Sequence, residues 1–300
     1  MNRRALLTAA ATGVLLAGCG RTRPPRVRLA DGEVGGFYHA FTALLARAAA
    51  EAGTVAIEPV ATAGSSTNLA MLDTGAVDAA LTLADSVDGH SDRLLALGRV
   101  YENYLQLAVR HAGPITRLTD LRGARISLGA AGSGAALTGD RLLRAADLDP
   151  ATDVTVVHLP LPDAVAAIAD GTVDALLWAG GVPTAALDIP RLLRLIDLGE
   201  LAAPMRARFG YLYDRVLIPA DVYPAAPAVH TIGVANLLVT TAALPDPTAA
   251  ALTELLLTRA DQLIPTEAAG TQFLDQRALI GTDGLSLHPA AARVYRHHHG

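Results

Sequence analysis

The chain has 300 residues, 51% hydrophobic and 18% charged, a composition that excludes disorder as the main state and leaves room for two medium-sized domains. All 24 basic side chains are arginine, which excludes lysine Schiff-base chemistry and a lysine phosphate loop, and the single cysteine excludes an intrachain disulfide or a multi-cysteine metal site. A formal charge of −5 with 4% aromatic residues supplies neither the basic field nor the stacking surface of a nucleic-acid binder.

Arg3 and Arg4 precede an apolar run over residues 5–17 that is too short to span about 30 Å of hydrocarbon, so residues 1–18 read as a secretory signal peptide. The run ends in Leu16-Ala17-Gly18-Cys19, which resembles the bacterial lipobox; Cys19 is then the lipidation site and residues 19–25 an Arg/Pro-rich tether. The expected location is outside the cell membrane, anchored to its outer face through Cys19. Removal of Arg3 and Arg4 makes the mature chain more acidic still.

Beyond the tether, residues 26–30 read as a strand, 31–36 as a Gly-rich loop and 37–51 as a helix. A strand at 55–61, a helix at 65–74 and a strand at 76–81 follow. The same order returns: strand 124–128, Gly-rich loop 129–134, helix 135–146, strand 154–159, helix 162–170, strand 172–177. Gly75-Ala-Val-Asp-Ala and Gly171-Thr-Val-Asp-Ala stand 96 residues apart, close to the offset of the two Gly-rich loops. The repetition predicts an α/β chain of two similar lobes, each with a parallel-rich sheet. A buried strand at 231–239 and a helix at 247–264 lack a counterpart and are expected to return to the first lobe. The expected division is 26–110 with 231–300 for lobe 1, and 111–230, including hinge segments, for lobe 2.

Open α/β sheets bind ligands at the carboxyl ends of their strands. Four loops qualify: Gly35-Gly36-Phe37-Tyr38, Thr62-Ala-Gly-Ser65-Ser66-Thr67-Asn68, Gly132-Ser133-Gly134-Ala135, and Trp178-Ala-Gly-Gly181-Val-Pro183. Glycine admits close backbone approach, and the first N–H groups of a helix carry about half a positive charge, so an anion can be held without lysine. Two readings stay open at Ser65, Ser66 and Thr67, ligand contact or plain helix capping, and two at Trp178, ligand wall or core. Gly129 to Gly134 lacks the glycine order of a dinucleotide fingerprint. Catalytic patterns are thin: Gly132-Ser133-Gly134 lacks the outer glycines of a nucleophile elbow, and the nine histidines are scattered without a His-Glu-Xaa-Xaa-His. His297-His298-His299 reads as a frayed tail. No metal, no cofactor and no enzymatic activity are expected.

Taken in order, these motifs resemble the TAXI family of solute receptors, which serve tripartite ATP-independent periplasmic (TRAP) transporters. The resemblance rests on Gly35-Gly36-Phe37-Tyr38-His39, Thr62-Ala-Gly-Ser65 with Asn68, Gly75-Ala-Val-Asp-Ala-Ala80, Leu121-Arg-Gly-Ala-Arg-Ile126 before Gly132-Ser-Gly-Ala135, Ala179-Gly-Gly-Val-Pro-Thr184, Ile218-Pro-Ala-Asp-Val-Tyr-Pro224 and Leu287-His288-Pro289. It implies a two-lobed periplasmic-binding-protein fold, type II-like, with a hinge and an interlobe cleft. It also implies a small anionic solute, a glutamate-like amino acid or a dicarboxylate, a TRAP-type membrane permease as partner, and a monomer. On this reading Ser65, Ser66, Asn68, Ser133 and the N–H groups near Gly134 and Ala135 contact the carboxylate. Phe37, Tyr38 and Trp178 wall the pocket, and Gly36, Gly132, Gly181 and Pro183 complete the ligand-binding set. Phe37, His39 and Ala135 replace hydroxyl residues of the family pattern, and Asp85 sits in an altered Leu83-Ala-Asp85, which changes the polar lining. The alternatives are a ligand-sensing lipoprotein feeding a receptor kinase and a lipid-anchored enzyme; the latter would need an acid/base pair that the four loops, with His39 alone, do not supply.

Overall fold

A computed structural model describes residues 23–189, 192–266 and 274–299; the signal segment and Cys19 lie outside the described residues. Strand β1 (Arg26–Ala30) leads through a tight loop into helix α1 (Phe37–Ala52). Phe37, Phe41, Leu45, Ala48 and Ala49 give α1 one apolar face at helical spacing, and Gly53, at φ 66, ends it. β2 (Ala56–Val60), α2 (Ser65–Asp73) and β3 (Ala79–Leu83) complete a first unit. The 17-residue β4 (Leu94–Arg110) then leads to a second unit in the same order: β5 (Arg125–Ser127), α3 (Gly134–Ala145), β6 (Thr155–Val157), α4 (Leu161–Asp170) and β7 (Ala175–Gly180). β8 (Leu193–Leu195), α5 (Ala202–Phe209) and β9 (Tyr213–Ile218) precede β10 (Val229–Thr241), and α6 (Asp246–Thr258), α7 (Gln276–Leu279) and α8 (Pro289–His299) close the chain.

The sheet order β2-β1-β3-β10-β4-β7-β5-β6 displays the repeat directly. Within each unit the pairings are parallel, β1 with β2 and β3, β5 with β6 and β7. The units meet through β10 and β4, which run antiparallel to each other from Gly233↔Tyr104 to Thr241↔Leu94. These two strands serve two cores. Leu97, Val100 and Leu238 pack with Phe41, Leu45 and Leu252 in the first. Leu105, Leu107, Ile232 and Val234 pack with Ile126, Leu142 and Leu177 in the second. Each fully buried leucine contributes roughly 1.5–3 kcal/mol, so both lobes are anchored on the connecting strands rather than hung from loops.

Several boundaries differ from expectation, and three have a clear local cause. β3 and β7 begin at Ala79 and Ala175, three residues later than the motif suggests, because Gly75 (φ 70) and Gly171 (φ 85) open a turn before each strand. In both copies the motif's aspartate reaches sideways: Asp78 Oδ2 accepts the Arg28 N–H at 2.8 Å and Asp174 Oδ2 the Arg125 N–H at 2.9 Å, tying each turn to the central parallel strand. The helix expected over 247–264 stops at Thr258, since Arg259 leaves the helical region (φ −122) and a 3-10 turn, Ala260–Gln262, follows.

Candidate solute cleft

Three helices begin where the lobes face each other. α1 starts after Gly36, whose N–H donates to the Glu33 carbonyl at 2.9 Å. α2 starts after Gly64 at φ 121, a conformation that favours glycine. α3 is capped by Ser133, whose Oγ accepts the Ala136 N–H at 3.1 Å. The first N–H groups of each helix have no acceptor within their own helix, so three positive dipole ends converge.

Between them lies a cavity of about 50 Å³. Gly36, Phe37, Tyr38, Gly64 and Ser65 form the lobe 1 wall, Ser133, Gly134, Ala135 and Trp178 the lobe 2 wall, and Leu83 and Asn103 belong to its lining as well. The lobes touch. Thr67 donates its N–H to the Gly132 carbonyl at 3.1 Å, and Leu161, the first residue of α4, donates its N–H to Glu33 Oε2 at 3.1 Å. A Cβ on Gly64 would stand 3.4 Å from Ser133 Cα, and one on Gly134 only 2.5 Å from Leu83 Cδ1 and 2.6 Å from Ser65 Oγ.

Among the described residues, Glu33 is the only charged side chain on the cavity wall. Burial pushes its carboxyl above the ordinary range, opposed by the Leu161 N–H. Among the described residues no arginine lines the cavity. Burial also pushes the Tyr38 hydroxyl up, so it stays a neutral donor; it donates to Asn236 Oδ1 at 2.5 Å and lies 3.3 Å from Ser65 Oγ. Ser65 Oγ in turn accepts the Leu83 N–H at 3.0 Å. Further along the lobe contact, the fully buried Asp85 carboxylate accepts from Thr138 Oγ1 at 2.7 Å and Tyr213 Oη at 3.1 Å, with Arg141 Nη1 at 4.0 Å. Its carboxyl is raised by burial.

Of the residues singled out from sequence, Gly36, Phe37, Tyr38, Ser65, Ser133, Gly134, Ala135 and Trp178 come together on this cavity. Trp178 lies inside β7, paired with Gln106, rather than in the loop beyond it; Gly180 makes room for its indole, since a Cβ there would meet Nε1 at 2.2 Å. Ser66 is exposed on α2. Asn68 is a buried strut, its Nδ2 donating to the carbonyls of Asp31 (2.5 Å) and Leu81 (2.7 Å). Gly132 supplies the carbonyl that Thr67 reaches, and Gly181 lines a smaller neighbouring space with Phe37 and Trp178. Pro183 follows a cis peptide bond and is not part of the cavity lining. His39 turns away to Asp31 Oδ2 at 3.1 Å.

Glu33, Leu83 and Asn103 are cavity residues that the motifs did not indicate. Asn103 and Asn236 sit on the connecting strands, and the available signal was the polar stretch Tyr101-Glu102-Asn103-Tyr104 inside an otherwise apolar run. Asn103 Oδ1, Asn236 Nδ2 and Tyr101 Oη are buried without a hydrogen-bond partner. Among the described residues no group of three or more His, Cys, Asp or Glu could hold a metal ion, and no helix is long and apolar enough to cross a membrane.

Residues 29–298 match the family model described as NMT1-like. The chain belongs to the NMT1-like family. Solved structures similar to this NMT1-like chain include a protein from Bordetella bronchiseptica RB50, at TM-score 0.59 and 15% identity over 93% of this chain and 99% of that one. A Xanthomonas citri protein described as bound to chloride ion matches at TM-score 0.52 and 15% identity, covering 91% and 99%. The substrate-binding protein of an amino acid ABC transporter matches at 0.51 and 15%, covering 79% and 95%. These likenesses show the fold, a mixed α/β periplasmic-binding-protein type II architecture.

Proposed function

We propose that this NMT1-like protein is an extracytoplasmic solute receptor that captures a small carboxylate between its lobes, 26–110 with 231–300 and 111–230, for a TRAP-type secondary transporter. The observation that carries the reading is the convergence of three helix starts on one interlobe cavity whose wall, among the described residues, holds no cationic side chain. In an acidic chain of formal charge −5, long-range attraction works against an anion, and the local dipoles of α1, α2 and α3 are what can hold it. A carboxylate bridging α3 and the helices of lobe 1 gains contacts in the closed state that the open state lacks, so binding shifts the population to closure. The closed face then docks on a permease. The resemblance to TAXI receptors supports the TRAP assignment, and the Leu16-Ala17-Gly18-Cys19 sequence supports an anchor at Cys19 on the outer face of the membrane. The receptor acts as a monomer and performs no chemistry on its cargo.

A thermal-shift screen of the purified mature chain against amino acids, dicarboxylates and keto acids tests this. A ligand at 100 times its Kd stabilises by about 2.7 kcal/mol, a readily measured rise in Tm. Absence of any shift with every carboxylate at millimolar concentration would overturn the reading.

A further inference from the structure

The cavity offers two opposed chemistries. The helix starts present N–H donors, which suit a carboxylate. Asn103 presents the reverse. It lies on β4 at 4% exposure, on the cavity wall, and its Nδ2 donates to the Ala179 carbonyl of β7 at 3.1 Å. That bond fixes the amide: turned over, Oδ1 would face another carbonyl oxygen. Oδ1 is therefore left as a buried acceptor without a donor. Such a group is destabilising on its own, and buried polar atoms in native proteins are almost always satisfied, so an orphan on a cavity wall points to a partner that arrives with the ligand. Glu33, the one charged group that the described residues place on the same wall, is likewise an acceptor, and its Oε2 is engaged by the Leu161 N–H.

We propose that Asn103 is the specificity-determining residue of the cleft: its Oδ1 accepts a hydrogen bond from a donor carried by the carboxylate solute, an ammonium or a hydroxyl. The inference rests on the proposed solute-receptor function and narrows it. The solute is a small amino or hydroxy acid, and carboxylates without a donor, plain dicarboxylates and keto acids among them, leave Oδ1 unpaired and are rejected. Size points the same way: about 50 Å³ holds roughly four water-sized groups at 10–15 Å³ each, which in this closed form suits solutes of a few carbons.

The test is calorimetric titration of the mature chain with L-alanine, L-lactate, propionate and malonate, in the wild type and in Asn103→Leu and Asn103→Asp, with circular dichroism as the check on folding. In the wild type alanine or lactate is expected to bind at least about tenfold more tightly than propionate and malonate. Asn103→Leu brings that ratio close to one while propionate affinity is kept. Asn103→Asp, which keeps an acceptor and adds charge, raises alanine over lactate. The proposal is overturned if propionate binds the wild type as well as alanine and lactate do, or if Asn103→Leu folds and keeps the wild-type ratio. Failure of all four carboxylates to bind overturns the assignment of a small amino or hydroxy acid to the cleft, a different result from equal binding of all four; the receptor reading itself falls only if the wider thermal-shift screen is negative as well.

Discussion

Glu102 neighbours Asn103 on β4 and is 5% exposed. Burial pushes its carboxyl from an ordinary value near 4.5 up to about 7; Arg99 at 3.6 Å pulls it down, while Asp214 and Asp283 push it further up. The folded state thus keeps a proton between pH 4.5 and 7 that the unfolded chain has released. Stability falls as pH rises through that window, and the whole penalty is present above pH 7. At 1.36 kcal/mol per unit the penalty is at most about 3 kcal/mol. Glu102→Gln, which removes the charge and keeps the shape, is expected to raise Tm clearly at about pH 8 and to leave it unchanged near pH 4.5. Melting curves at the two pH values check this, and a gain confined to low pH would contradict it. The same strand carries the orphaned Asn103 Oδ1, so β4 gives up stability at two adjacent residues, one of which lines the cavity. Such local departures from good packing are expected where a binding function requires them.

At the scale of elements, the twin turns at Gly75 and Gly171 hold the parallel units together, and their geometry makes a sharp comparison. Neither glycine is packed: nothing lies within 4 Å of a Cβ at Gly75, and only Arg110 Nη1, at 3.7 Å, at Gly171. Alanine at either site therefore pays only for the left-handed backbone, about 1–2 kcal/mol. At Gly98 the obstacle is space instead, since a Cβ would stand 2.6 Å from Tyr295 Oη, which donates to the Leu97 carbonyl, and 3.2 Å from Leu279 Cδ2. Gly98→Ala is expected to cost more than either turn variant, and urea denaturation of the three ranks them. These turns, with the strand-loop-helix order around them, were legible because each repeat spends its glycines on the same backbone conformations. The starts of α1 and α3 were legible for that reason too, with Gly35 and Gly132 at φ 84 and 82. β4 was not, because Arg99, Tyr101, Glu102, Asn103 and Tyr104 break the apolar pattern of a buried strand, and what makes them tolerable is pairing with β10, more than 120 residues later in the chain. The cavity side of Asn103 was hidden by the same distance: it depends on Ala179, a contact across 76 positions that no local pattern encodes.

For the whole molecule, the decisive question is whether the lobes move, and Gly134 isolates it. At this position α3 meets Leu83 and Ser65 so closely that a single methyl group would overlap both, at 2.5 and 2.6 Å. The backbone itself does not require glycine, because Gly134 is not among the residues at positive φ, and alanine at a helix start is favourable for helix formation. A methyl here thus penalises the closed arrangement, while an open cleft gives it room. Gly134→Ala is expected to fold normally and to melt no lower than the wild type without solute. Its affinity should fall by the factor by which the closed population falls, since apparent affinity scales with the competent fraction. A penalty of about 1.4 kcal/mol on closure gives a tenfold loss. Small-angle scattering should show the wild type contracting on addition of solute and the variant contracting less at the same solute concentration. Were the variant to bind and contract as the wild type does, the two lobes would be a fixed frame, and capture would have to proceed through the cavity mouth without closure.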